Sequence, residues 1–157
     1  MKVRTGLAGL TFAMALGIAG PGLAADQCVG PEGPHKISVV VTGVAPIQGE
    51  VAVTLYPDNA RRFLAPKGKL LRARVKATPR VTEVCFWVPE PAYYAIAIYH
   101  DANVDHDFNR TIVGMPAEGF GFSNNAPTRV GLPSFESVRF RAGAGTTQVP
   151  ISMRYQR

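Results

Sequence analysis

The sequence predicts an all-β protein: an antiparallel two-sheet sandwich of about seven strands, immunoglobulin-like or transthyretin-like, with one long ordered loop. Three observations predict it. Short runs rich in β-branched and aromatic residues alternate with period 2; the 157 residues include 16 Gly and 13 Pro, the punctuation of a turn-rich chain; and no helix of ordinary length is required to account for the pattern. With 46% hydrophobic and only 18% charged residues the chain is neither disordered nor a coiled coil, and its length fits one domain.

The first element lies outside that domain. Lys2 and Arg4 form a positive start, Leu7 to Ala19 is apolar and uncharged, and Leu23-Ala24-Ala25 offers small residues to a signal peptidase. Residues 1–25 are read as a secretory signal peptide, too short for a membrane span of about 20 residues, and residues 26–157 as a single β-sandwich domain that is periplasmic or secreted. Cleavage removes two positive charges and lowers the formal +6 to +4. No membrane span is expected after processing. Cys28 lacks the small residues directly before it that lipidation needs, so its expected partner is Cys85, the other cysteine. In an oxidising compartment such a bridge stabilises the fold by roughly 3–5 kcal/mol.

Strands are expected at about 36–44, 50–56, 69–77, 80–88, 93–100, 136–141 and 146–153. Ile37, Val39 and Val41 share one face, as do Val51, Val53 and Leu55, then Leu71, Ala73 and Val75, then Val84, Phe86 and Val88. Tyr94, Ile96 and Ile98 continue the pattern; Ala95 and Ala97 on the other side make that strand apolar on both faces, as in the middle of a sheet. Arg72, Arg74 and Lys76 alternate with the core positions of the third strand and read as a solvated or edge-protecting face. Without interleaved aromatics or a recognition motif the stripe does not indicate nucleic acid; an anionic lipid or glycan is the alternative ligand for it.

The segment 101–135 is too long for an ordinary connection and too apolar for a disordered one. It opens with oxygen-bearing side chains at every second position: Asp101, Asn103, Asp105, Asp107 and Asn109. Three carboxylates, with no Lys or Arg before Arg110, concentrate negative charge inside a positive domain. Calcium, which takes about 6–8 oxygen ligands, is the economical counter-ion, with Glu118 as a more distant ligand; magnesium, which keeps more of its water, is a weaker candidate. The run is not an EF-hand, because His106 and Ile112 stand where that loop needs Gly and Glu. Two other readings stay open. The Asp and Asn side chains can simply bond local backbone amides, or His100 and His106 can ligate zinc or copper.

Further along, Gly114, Pro116, Gly119, Gly121, Phe122, Ser123, Asn124 and Asn125 read as loop-structuring residues: glycine for unusual backbone angles, Ser and Asn for exposed backbone groups, aromatics as anchors. The alternative is a small hydrolase using residues 100–125, with Ser123 beside His100 or His106 and an Asp. Gly121-Phe122-Ser123-Asn124-Asn125 lacks the G-x-S-x-G setting of a nucleophile elbow.

Three stretches are shared with a known family: Tyr99-His100-Asp101-Ala102-Asn103-Val104-Asp105, Gly114-Met115-Pro116-Ala117-Glu118-Gly119-Phe120-Gly121-Phe122-Ser123-Asn124-Asn125, and Pro133-Ser134-Phe135-Glu136. They resemble the signature of domain-of-unknown-function family 2141, exported bacterial proteins without assigned activity. The resemblance runs from the first strand to the last and implies export, a β fold and this loop, but no reaction. Its acidic segment often carries Asn-Gly where this chain has Asp105-His106. The combined expectation is an exported binding or structural module with a calcium-organised loop, its partner a cell-envelope protein or glycan.

Overall fold

A computed structural model describes residues 28–128 and 131–156; the expected signal peptide lies outside these residues. The described strands are β1 (His35–Thr42), β2 (Glu50–Pro57), β3 (Leu71–Lys76), β4 (Val81–Val88), β5 (Tyr93–Asp101), β6 (Phe120–Phe122), β7 (Phe140–Arg141) and β8 (Thr146–Ser152), with one short helix, α1 (Phe135–Val138). They form two sheets, one ordered β4-β1-β8 and one ordered β3-β2-β5-β6, with β7 also pairing with β5. Alternation decides what lies between them. Ile37, Val39, Val41, Phe86, Val88 and Ile151 from the smaller sheet pack with Val51, Val53, Leu55, Ile96 and Ile98 from the larger one, all at most 2% exposed. Each such side chain contributes about 1.5–3 kcal/mol by leaving water.

The expected disulfide is present, joining Cys28 to Cys85 across a separation of 57 residues. It continues into backbone pairing: the Val29 N–H donates to the Cys85 carbonyl at 2.9 Å, and the Trp87 N–H donates to the Val29 carbonyl at 2.9 Å.

Three features differ from the expected pattern. β8 runs parallel to β1, with Val39 opposite Val149 and Val41 opposite Ile151; period-2 alternation specifies a face but not a direction. The first half of the strand expected at 136–141 belongs to α1, because the Ser134 side chain caps that helix by accepting the Ser137 N–H at 3.3 Å. Asn124 Nδ2 then donates to the carbonyls of Ser137 (3.1 Å) and Arg139 (2.9 Å), leaving two residues for β7. Finally, the long segment contains β6. Gly121 allows it to fit: a Cβ there would sit 2.9 Å from the Ser152 carbonyl oxygen and 3.0 Å from Ile151 Cγ2.

The larger sheet is packed on its inner face and over part of its outer one. On its outer side Tyr56, Ala95, Phe120, Phe122, Ala126 and Val138 form a second cluster, flanked by Phe63, Phe108 and Phe135. This outer layer is what the long segment builds, and it gives Ala95 and Ala97 their place on the far face of β5.

Candidate functional site

The register of the larger sheet sets its outer-face residues in rungs. Lys76, Glu50 and Asp101 make one; Arg74, Ala52, Tyr99 and Phe120 the next; Arg72, Thr54, Ala97 and Phe122 the third. The expected basic stripe is thus one end of three different rungs, and its members have different fates. Ala52 is small enough for Arg74 to lie across it. The guanidinium reaches β5, where Nη1 donates to Asp101 Oδ2 at 2.8 Å and Nη2 donates to the Tyr99 hydroxyl at 2.6 Å and the His106 carbonyl at 2.8 Å. Lys76 and Arg72 remain exposed. The solvated-face expectation therefore fails at Arg74, whose side chain is 21% exposed against 0% for Asp101.

Arg74 supplies charge compensation for the acidic run, and hydrogen bonds do the rest. Asp101 Oδ1 accepts the Asp105 N–H at 3.2 Å and Oδ2 the His106 N–H at 3.0 Å. Asp105 accepts the Asp107 N–H at 2.9 Å and the side-chain amides of Asn103 and Asn109 at 2.8 and 2.9 Å. These bonds, the Asp107 N–H foremost, hold the Asp105 carboxyl below the usual range. Asp107 is exposed. His106 has φ 69°, so here a histidine adopts the left-handed turn.

Among the described residues Asp105, Asp107 and Glu118 join no set of three converging His, Cys, Asp or Glu side chains; Asp105 instead clusters with the amides of Asn103 and Asn109. The set that converges is Glu50, Asp101 and His106, with ligand atoms within 4.8 Å of one another. Glu50 was not legible as a member, since only strand pairing brings it opposite Asp101. His100 is on the opposite face from His106. Its Nε2 bonds the Gln48 carbonyl at 2.8 Å, so that nitrogen carries the proton, and its Nδ1 accepts from the Tyr155 hydroxyl at 2.8 Å. The two imidazoles cannot share a metal.

Glu118 Oε2 accepts the Asn109 N–H at 3.0 Å. Burial raises the Glu118 carboxyl pKa, with the charges of Asp101 and Asp105 adding to the rise. A raised folded pKa means the charged form costs stability. That cost is absent below the unfolded value and grows as pH rises through the folded one. Glu118→Gln, which keeps an acceptor for Asn109, is expected to unfold at higher urea than the native chain at about pH 7 and to match it near pH 4. A lower midpoint at neutral pH would contradict this.

Ser123 is fully buried. Its hydroxyl donates to the Val138 carbonyl at 2.5 Å and accepts the Ile96 N–H at 3.0 Å, tying α1 to β5. The three imidazoles are engaged elsewhere, His35 with the Gly145 N–H, His100 as above and His106 near Glu50. The hydrolase expectation therefore loses its nucleophile. The neighbouring residues are held by backbone geometry. Asn124 and Asn125 have φ of 59° and 48°, and Asn125 Oδ1 accepts the Ser152 N–H at 2.8 Å. Phe122 is buried in the outer cluster. Gly114, at φ 81°, turns a small hairpin closed by an Arg110–Pro116 bridge. Gly119 makes room for Tyr155, whose ring lies 2.4 Å from where a Cβ would be.

Between the hairpin and the sheet lies a cleft of about 610 Å³. Thr54 and Ala97 are on its sheet side, Tyr99, Phe108, Phe120 and Phe122 supply aromatic surface, and Arg72 and Arg110 also line it. This is the size and lining of a small-molecule site, mostly apolar with a few polar groups. Sequence reasoning did not find it, because its walls come from β2, β3, β5, β6 and the hairpin.

Two sheets, a bridged N-terminal segment and a loop-covered cleft define a sandwich-like all-β protein with a ligand-sized cavity. The chain belongs to the bacterial family described as "Uncharacterized protein conserved in bacteria (DUF2141)", matched over residues 39–150. That span includes the acidic run, the hairpin and β6. No curated protein and no solved structure matches the chain significantly.

Proposed function

We propose that this protein is an exported binding module whose ligand is a small molecule with an apolar body, held between the outer face of the larger sheet and the hairpin. The observation that carries this reading is the aromatic-lined cleft of about 610 Å³. The disulfide supports export, as does the charged and apolar N-terminal sequence; no helix of the described residues is long and apolar enough to cross a membrane. Decanol, a neutral apolar probe, is expected to raise the melting temperature of the purified chain. Ala97→Leu, which adds bulk to the cleft, is expected to abolish the rise. An equal rise in both proteins would place the binding elsewhere, and no rise in the native chain would overturn the reading.

Calcium at the acidic run is a second reading. It is favoured by Glu50 Oε2, a buried oxygen with no hydrogen-bond partner, beside Asp101 and His106. Because Arg74 already neutralises Asp101, the expected affinity is weak, with Kd about 10⁻³ M, as in extracellular calcium modules. Calorimetric titration with calcium and magnesium tests it; no heat and no melting shift at millimolar calcium would remove calcium from the account.

A further inference from the structure

Resting on the cleft reading, we infer that the ligand is an amphiphile with a single anionic head, carboxylate or phosphate, recognised by Arg72 and Arg110. Two arginines of the outer surface have carboxylate partners: Arg74 pairs with Asp101, and Arg139 pairs with Asp58 at 2.7 Å. The two that line the cleft have none among the described residues. Arg72 donates Nε to Thr54 Oγ1 at 2.8 Å, and Arg110 donates Nη1 to the Gly114 carbonyl at 3.2 Å while its guanidinium sits 5.1 Å from the Phe108 ring centre.

The positive charges are held in place by neutral groups, which orient a guanidinium without cancelling its charge. A fork of N–H donors fixed beside aromatic surface suits a carboxylate or phosphate better than a neutral or cationic head. The rest of the lining excludes a wholly polar anion. Met115 and Leu132 line the cleft and are also 49% and 66% exposed, so apolar surface continues from the interior to the rim. A tail can therefore lie along the aromatics while the head meets the arginines.

The ten-carbon series decanoate, decyl phosphate, decanol and decylammonium, titrated calorimetrically into the unaltered chain, tests this without relying on any variant. Decanoate or decyl phosphate is expected to bind at least about tenfold tighter than decanol, with decylammonium weakest, and the stronger of the two anions identifies the head group. Arg72→Gln with Arg110→Gln is expected to remove the anion preference, so that decanoate and decyl phosphate bind the variant no tighter than decanol does. Equal binding of anion and alcohol would overturn the anionic head while leaving the apolar cleft standing. Failure of all four probes would overturn both. Inorganic phosphate binding as tightly as decyl phosphate would also overturn the inference, since the tail would then contribute nothing.

Discussion

Replacing Arg74 with alanine is expected to destabilise the protein by about 3 kcal/mol, although Arg74 stands on an outer strand face where a charge change would ordinarily cost little. Its partner accounts for the difference. Asp101 is fully buried at the end of β5, and Arg74 is the cation bonded to it, at 2.8 Å. Removing one member of a buried pair leaves an uncompensated charge, which costs about 3–5 kcal/mol. Partial exposure of the arginine, at 21%, places the expectation at the lower end of that range. The substitution also removes donors from the Tyr99 hydroxyl and the His106 carbonyl, so the loop beginning at residue 102 loses an anchor on the sheet. Asp101→Asn in the same background should recover part of the loss, because the charge then disappears with its partner, and the two changes should be strongly non-additive. Urea midpoints of the four proteins of the cycle give the coupling. A cost for Arg74→Ala below about 0.5 kcal/mol, in the range of ordinary surface substitutions, would show that water already compensates Asp101.

The Cys28→Ser, Cys85→Ser double variant is expected to lose about 4 kcal/mol, the chain-entropy value for a loop set by a separation of 57 residues. Most of this acts on the unfolded chain, which gains freedom when the bridge is absent. A smaller part acts on the fold, because residues 28–29 are tied to β4 by the two hydrogen bonds of Val29 with Cys85 and Trp87. Reduction of the native protein should reproduce the variant. If the variant and the reduced protein unfold at the native midpoint, the bridge contributes no net stability and the N-terminal segment docks without it.

Much of the sandwich was legible because a strand's faces are a local property. Ile37, Val39 and Val41 must point the same way whatever pairs with them, and they are all fully buried. Ala95 and Ala97 marked β5 as a two-sided strand for the same reason, and the cysteine pair followed from there being two in an oxidising setting. The loop was legible as ordered from its apolar content. The role of its acidic run was not, because Arg74 lies 27 residues earlier in the chain than Asp101. Nor could α1 be told from a strand while Glu136 to Arg141 alternated; the Ser134 cap and the grip of Asn124 on two carbonyls decided it.

The sequence by itself determined the all-β class, the inward faces of the main strands, the bridge and the family signature, each a matter of neighbours within a few residues or of composition. Only the tertiary structure decided that Arg72, Arg74 and Lys76 would have different roles. Alternation puts all three on one face, but register puts Arg74 across Ala52 toward a buried carboxylate and sets Arg72 beside an aromatic cleft. Strand register is a non-local choice, made by the packing of both faces at once, and the same choice that neutralises one arginine leaves the other available for a ligand.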